Sequence, residues 1–491
     1  MSVPPEETEL KFLCEPADVE TVLAAAPEGE DGAVDLSAIY FDTPERRLRE
    51  LGAGLRIRQE PQGRRQTLKT GKGLRRQEFE IAVEGDQPDA AHHPLRELLG
   101  KDHINRLEPL FAVQVRRRLR TLVWEGAEIE LALDEGEILA GGRRSSLCEV
   151  ELELKRGDAG ALFSLARHLF EAAPLYLSFQ TKADQGFALV ADEDDAHHHA
   201  PAGLAPGMTA AAAFQAIARG ALAQIAANGL ILRGGSDAPE ALHQLRVAVR
   251  RLRSAMSTFK DLVADPRLDT LKGELKWLAG ACDEARNLDV FLAETYRPAA
   301  QGTAAIHGLA DLGQALETAR GKAHALARGA VASTRFRALL LELYAWIETG
   351  EWLARLSDGG GPATAFAAEA LGARRRKLAK RGRGLMALSD SQRHQVRIQA
   401  KKLRYAAEAF RPLLKDKAAR RLIKKTKALQ AALGALNDGA TAEALLTSLD
   451  LDGPALYAAG HLAGELATDR DGRLRVAAKA WSAYCEADNA W

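Results

Sequence analysis

In ETELKF, Glu7 to Phe12, charged and apolar residues take alternate positions: Glu7, Glu9 and Lys11 on one side, Thr8, Leu10 and Phe12 on the other. In an extended chain residues i, i+2 and i+4 point the same way, so three charges emerge side by side. The pattern recurs. Leu55 and Ile57 alternate with Arg56 and Arg58; Phe79, Ile81 and Val83 alternate with Glu78 and Glu80. Ile129, Leu131 and Leu133 alternate with Glu130 and Asp134, and Val150, Leu152 and Leu154 alternate with Glu149, Glu151 and Glu153. Each segment predicts a half-buried strand. Between them Pro16–Ala26 and Asp158–Ala172 predict helices.

A solvated sheet face usually mixes Lys, Thr, Ser and Gln with its acids. Here the positions off the core are mostly Glu, Arg, Asp and Lys. Glutamates two residues apart repel, so nearby cations or a metal must offset them. Hard divalent ions such as Mg²⁺ or Mn²⁺ take carboxylate oxygens, and a polyphosphate takes Arg and Lys. Both charge sets together suit a metal–polyphosphate site.

Beyond residue 190 the pattern changes. ADEDDAHHHAPAGLAPG, residues 191–207, is polar with Pro and Gly and predicts a linker. Its consecutive His197, His198 and His199 lack a positioned helix or strand on which to chelate a metal. The rest is Ala-, Leu- and Arg-rich with helical periodicity, and it contains a repeat. HQLRVAVRRLRSAMSTF from His243 shares seven of 17 positions with HQVRIQAKKLRYAAEAF from His394, at an offset of 151 residues. The register holds onward, since DEARNLDV and GALNDGAT each begin 40 residues past their histidine. Two copies of one helical unit follow, about 208–345 and 360–491.

On a helix His243, Arg246, Arg250 and Arg253 fall within an arc of roughly 80° beside an apolar stripe of Leu242, Leu245, Val249, Leu252 and Met256. His394, Arg397, Lys401 and Arg404 repeat that basic stripe. Acids at i±4 are largely absent, and duplication of the spacing favours a polyanion ligand over a merely solvated face. Nucleic acid is disfavoured, because the chain is 5% aromatic and base stacking has little to use. Inorganic polyphosphate needs no stacking.

The zero net charge of the 491 residues hides an asymmetry. Residues 1–200 carry 25 Lys+Arg and 38 Asp+Glu; subtraction from 67 and 67 leaves 42 and 29 for the remainder, so −13 faces +13. Length and asymmetry predict domains with different tasks. Cys14, Cys148, Cys282 and Cys485 are far apart and show neither metal-ligand nor disulfide spacing, which fits a reducing compartment. MSVPPEETELKF lacks the apolar core of a signal peptide, and no run of about 18 apolar residues stands out, so no membrane partner and a cytoplasmic setting are expected.

These residues carry a family resemblance. ETELKF resembles the ExExK signature of the CYTH, or triphosphate tunnel metalloenzyme, family, and the duplicated HxxRxxx(R/K)xxR helices resemble the CHAD domain. The tandem is similar to bacterial inorganic triphosphatases. The resemblance implies a multidomain α+β chain: an N-terminal antiparallel eight-stranded β-barrel tunnel over 1–190, a linker over 191–207, and an all-α, internally duplicated helical-bundle domain over 208–491. It implies Glu7, Glu9, Asp134, Glu149, Glu151 and Glu153 as ligands for Mg²⁺ or Mn²⁺, the later two of the last three favoured over Glu149. It implies Lys11, Arg56, Arg58, Lys69 in TLKT, Arg76, Arg117 in VRRRL and Lys182 in SFQTKADQG as phosphate contacts. Lys11, Glu78 and Glu80 are the catalytic candidates, and YFDTPERRL from Tyr40 resembles the family's YxDT element. Metal-assisted attack of water on a terminal phosphoryl group is the implied reaction.

The proton acceptor stays open between a tunnel lysine and a metal-bound carboxylate. Asp134 has a turn-forming alternative, Asp289 and Asp438 are assigned to capping or to orienting the basic stripe, and Trp124 and Phe111 to the core. Competing functions are a thiamine triphosphatase or adenylyl cyclase of the same tunnel type, and a non-catalytic polyphosphate binder. The intact charged set weighs against the last.

Overall fold

The computed structural model describes residues 6–60, 63–71, 75–191, 196–198, 203–235, 237–302, 306–436, 438–468, 470–487 and 489–491. Much of the predicted linker, His199 included, lies outside the described residues. The chain divides into two compact units, residues 1–195 with Arg337–Thr349, and Ala196–Phe336 with Gly350–Trp491.

In the first unit the alternating segments become strands β1 (Glu6–Leu13), β2 (Gly29–Asp42), β3 (Ala53–Glu60), β4 (Gly63–Thr70), β5 (Arg75–Val83), β6 (Glu108–Trp124), β7 (Ala127–Ala140) and β8 (Arg143–Arg156). They run in the order β5-β4-β3-β2-β6-β7-β8-β1, and β1 pairs β5, so eight antiparallel strands close on themselves. A two-residue β9 (Tyr176–Leu177) adds to β1. Closure removes the free edges that such strands would otherwise expose.

Period two then sorts the side chains. Leu55, Ile57 and Leu68 point outward into a cluster with Phe41, Leu48, Leu95 and Leu99. Leu10, Leu131, Leu133 and Leu152 are fully buried under the barrel's helices; the amphipathic helix Gly160–Ala172 supplies Leu162, Phe163, Leu165 and Leu169, and Phe170 meets Phe12 edge-on at 5.3 Å. Trp124 stacks on His168 and donates to Ser164 Oγ, a packing role as expected. Arg337–Thr349 covers another outer face, with Tyr344 against Phe163 and Phe179 and Glu342 accepting from Arg167.

The inward face is charged along most of its length and apolar at one end. There Tyr40, Phe111, Val113, Val115, Ile138 and Leu147 pack on Phe187 of the helix Lys182–Ala191. That helix approaches closely because residue 186 is Gly: a Cβ there would stand 2.1 Å from the Phe111 ring.

The second unit is helical throughout its described elements. The two stripe segments form helices of 20 residues, Pro239–Thr258 and Asp390–Ala409, whose starts are 151 residues apart, the offset of the repeat. Pro sits in the first turn of one, and Ser389 with Gln392 makes a capping box on the other. Equivalent aromatics of the two copies meet in the core: Phe259 stacks on Phe366 at 4.4 Å and tilts against Phe214 and Phe410.

Three expectations need adjustment. Cys14 and Cys148, 134 residues apart in sequence, bring their sulfurs to 3.1 Å. Ala210–Arg233 is long and apolar enough to cross a membrane, although 61% of its apolar window is buried within the protein. Asp289 does not serve the basic stripe; it is buried and accepts from Arg320 Nε (2.7 Å) and His324 Nε2 (3.0 Å) of the helix Leu309–Ala332. The side chain of Asp438 lies outside the described residues.

Candidate active site

The barrel register assembles the lumen. Lys11 stands opposite Glu151 and Glu9 opposite Glu153 across β1 and β8; Asp134 stands opposite Glu149 across β7 and β8, and Arg117 opposite Asp134 across β6 and β7. Residues remote in sequence thus share one wall.

Six of them form an inner cluster beside the apolar end. Lys182 Nζ lies 2.9 Å from Asp134 Oδ2, 2.8 Å from Glu149 Oε2 and 2.9 Å from Glu151 Oε1. Lys11 Nζ reaches Glu151 Oε1 at 2.8 Å. Arg117 donates to both oxygens of Asp134 at 2.7 Å and to Glu151 Oε2 at 2.8 Å. Three carboxylates and three cations balance. Burial would lower the pKa of Lys182, but Asp134, Glu149 and Glu151 hold it well above the ordinary lysine value. Burial would raise that of Glu151, but Lys11, Lys182 and Arg117 hold it well below the ordinary carboxylate value. Ammonium groups so held keep their protons and donate hydrogen bonds.

Asp134, Glu149 and Glu151 also form the group of acids, among the described residues, whose ligand oxygens lie within 4.8 Å of one another. The carboxylate set fits a hard divalent cation. The Lys182 ammonium occupies the position between them that such a cation would share. Asp134 is fully buried within β7, so a turn does not explain it.

Toward the other end the predicted residues separate into pairs. Lys69 Nζ reaches Glu7 Oε2 at 2.7 Å and Glu78 at 3.3 Å. Arg76 Nη1 lies 2.9 Å from Glu9 Oε1 and pairs with it. Arg56 Nε and Arg76 Nε are buried donors without a partner among the described residues. Such orphans are costly unless a ligand satisfies them. Arg58 is occupied by Glu60, and Glu80 accepts from Thr67 Oγ1 at 3.0 Å. Glu153 pairs with Lys155 at 2.8 Å; burial raises its pKa and the charge of Glu7 adds to the rise. The structure therefore does not gather all six predicted metal ligands: Glu149, not Glu153, joins Asp134 and Glu151. Lys11, Glu78 and Glu80 stand in three different places.

Two lumen groups and one turn residue were missed. Gln185 donates to Glu149 Oε1 at 2.6 Å; its position one helical turn after Lys182 was the available signal. Glu60 shares its face with Arg56 and Arg58 at spacing two, which the alternation already implied. Asp42, in the YFDT segment, is fully buried and accepts from the backbone N–H groups of Thr43, Leu48 and Arg49 at 2.7–3.0 Å, so it shapes the turn after β2.

In the helical unit the two basic stripes converge. Burial, then the charges of Arg397, Arg250, Arg404 and Arg246, push Lys401 down to about 8. Burial and Arg286 depress His243, and burial, Arg246, Arg404 and Arg286 depress Arg250. Arg286, inside the repeated DEARNLDV, is a member the stripe pattern left out. Buried nitrogens of His243, Arg246, Arg250 and Arg397 have no hydrogen-bond partner among the described residues. Arg253 is half-buried, whereas His394 is exposed. Two stripe cations do have acids: Arg246 pairs with Asp283, and Arg404 with Glu408 one turn on, while Arg404 Nε donates to Gln430.

A closed antiparallel lumen lined by acids and bases, followed by a duplicated basic helical unit, defines the class. Residues 5–187 match the CYTH domain and residues 216–447 the CHAD domain, and the chain belongs to the CYTH–CHAD tandem proteins. It is 33% identical over 195 residues to an inorganic triphosphatase of Haemophilus influenzae, an alignment covering 38% of this chain and 55% of that relative. The chain thus spans about half the length of that relative. Among solved structures, the CHAD domain from the plant Ricinus communis is 30% identical, with a TM-score of 0.53, covering 60% of this chain and 99% of that one. PptA from Streptomyces chartreusis is 20% identical, with a TM-score of 0.43, covering 56% of this chain and 100% of that one.

Proposed function

We propose that the tunnel domain hydrolyses inorganic triphosphate to pyrophosphate and phosphate with Mg²⁺ or Mn²⁺, and that the helical domain binds inorganic polyphosphate, in a cytoplasmic setting. The observation that carries the reading is the pair of buried, unpartnered guanidinium nitrogens of Arg56 and Arg76 in a lumen that also holds converging carboxylates. An anion with several oxygens satisfies the first, and its accompanying cation the second.

In this reading Arg56, Arg58, Lys69, Arg76 and Arg117 grip the phosphates, and Lys11 and Lys182 neutralise charge deeper in the lumen. Asp134, Glu149 and Glu151 would hold the divalent ion, while Glu7, Glu9 and Glu153 stand beyond that cluster beside Lys69, Arg76 and Lys155. When bound, that ion stabilises charge on the transferred phosphoryl group. Fixed cations in a water-poor lumen stabilise the transition state without reorganising, because the barrel has already oriented them. A carboxylate, not a lysine, accepts the proton of the attacking water, since Lys11 and Lys182 are both held protonated. The apolar cluster around Phe111 and Phe187 keeps water out of the inner end.

Phosphate release from inorganic triphosphate, thiamine triphosphate and ATP, each with Mg²⁺, Mn²⁺ or EDTA, tests this directly. Metal-dependent release from inorganic triphosphate above the other two is expected. Faster release from an organic triphosphate would reassign the substrate, and silence on all three would leave a binding protein.

A further inference from the structure

Cys14 and Cys148 lie outside the lumen chemistry. Cys14 continues β1 past Leu13, which pairs with Glu149, and its N–H donates to the carbonyl of Cys148 at 3.2 Å. The two residues are therefore directly opposite on adjacent antiparallel strands. Residues so placed have Cα separations of about 4.5–5.5 Å, inside the range a disulfide spans. Their sulfurs are already 3.1 Å apart. Cys14 is buried, 8% exposed, and Cys148 is half-buried. The acids whose ligand atoms converge, among the described residues, are those of the lumen, so no metal-ligand group claims these thiols.

We propose that Cys14 and Cys148 are a redox modification site, a dithiol that a low-molecular-weight disulfide converts to an intramolecular disulfide joining β1 to β8. Cys148 is the more accessible of the two. Its thiolate attacks one sulfur of the small disulfide and expels the other half as a thiolate, leaving a mixed disulfide on Cys148. Cys14 then loses its proton, attacks Cys148 Sγ and expels the second thiolate. The protein loses two hydrogens and two electrons, and the small disulfide becomes two thiols. The bond closes a gap of 3.1 Å to about 2 Å and ties together the two strands that carry Lys11, Glu149 and Glu151. It also closes a loop of more than a hundred residues, which restricts the unfolded chain.

The test uses the full-length Cys485→Ser protein, which removes the exposed thiol and leaves three. After incubation with oxidised glutathione and blocking of free thiols, peptide mapping should show one linkage, Cys14 to Cys148, with Cys282 free. The thermal transition of the barrel unit should rise by several degrees and return with dithiothreitol. With Cys14→Ser added, Cys148 should stop at the glutathione adduct and the transition should not rise. Three free thiols after prolonged exposure, glutathione adducts without linkage in the unsubstituted pair, or a linkage through Cys282 would each overturn the proposal.

Discussion

Lys182 Nζ stands 2.8 Å from Glu149 Oε2, and the same ammonium also touches Asp134 and Glu151. A lysine delivered by a helix beside the apolar end thus joins two buried carboxylates and a third that is nearly so. Removing the ammonium leaves three carboxylates against Lys11 and Arg117, one negative charge in excess in a buried site. Breaking a buried pair costs about 3–5 kcal/mol. In Lys182→Met the thermal transition of the barrel unit should fall steeply in EDTA and recover with millimolar Mg²⁺ or Mn²⁺, more than the parent gains. Equal response of both proteins to metal, read by calorimetry, would remove these carboxylates from consideration as metal ligands.

Glu7 and Glu9 face Lys69 and Arg76, away from the inner cluster. Glu7→Gln and Glu9→Gln should each lower metal-dependent phosphate release by about 10²-fold or more, as loss of one preorganised charged group does. Polyphosphate binding by the helical domain should stay unchanged in the same preparations. Parallel loss of both activities would contradict the division of labour between the domains.

Asp42 holds three backbone N–H groups in a buried turn. Asp42→Ala strands those donors and should cost about 3 kcal/mol, whereas Asp42→Asn retains one acceptor and should cost about half. Differential scanning calorimetry of the barrel unit's transition measures both. A neutral Asp42→Ala would mean water replaces the carboxylate.

Much of this was legible in the order of residues. Alternation of charge and apolarity placed β1, β3, β5, β7 and β8, because a lumen-facing side chain cannot also face the core, and the 151-residue offset placed both stripe helices. Pairing was not legible. Whether Lys182 meets Asp134 or Glu153 depends on barrel register, which no local pattern encodes. The same reason hid Cys14 from Cys148: opposite positions on neighbouring strands can be any distance apart in sequence. Arg286 escaped because it enters the basic site from a third helix, Asp283–Phe291.

Lys401 gives the helical domain a pH signature. Its folded pKa, pushed down to about 8 by burial and by Arg397, Arg250, Arg404 and Arg246, lies below the ordinary lysine value of about 10.4. Between those values the unfolded chain binds the extra proton, so the helical domain should gain stability as pH rises from about 8 toward 10.4. Polyphosphate reverses the sign of the local field, restores the ammonium, and should draw in a proton when binding occurs near pH 9. Affinity should accordingly fall as pH rises through 8. Titration calorimetry in buffers of different ionisation enthalpy reads the proton directly: uptake should be present at pH 9 and lost there in Lys401→Met. Uptake that persists in Lys401→Met would assign the proton to another group, and pH-independent affinity would place polyphosphate away from the converged stripes.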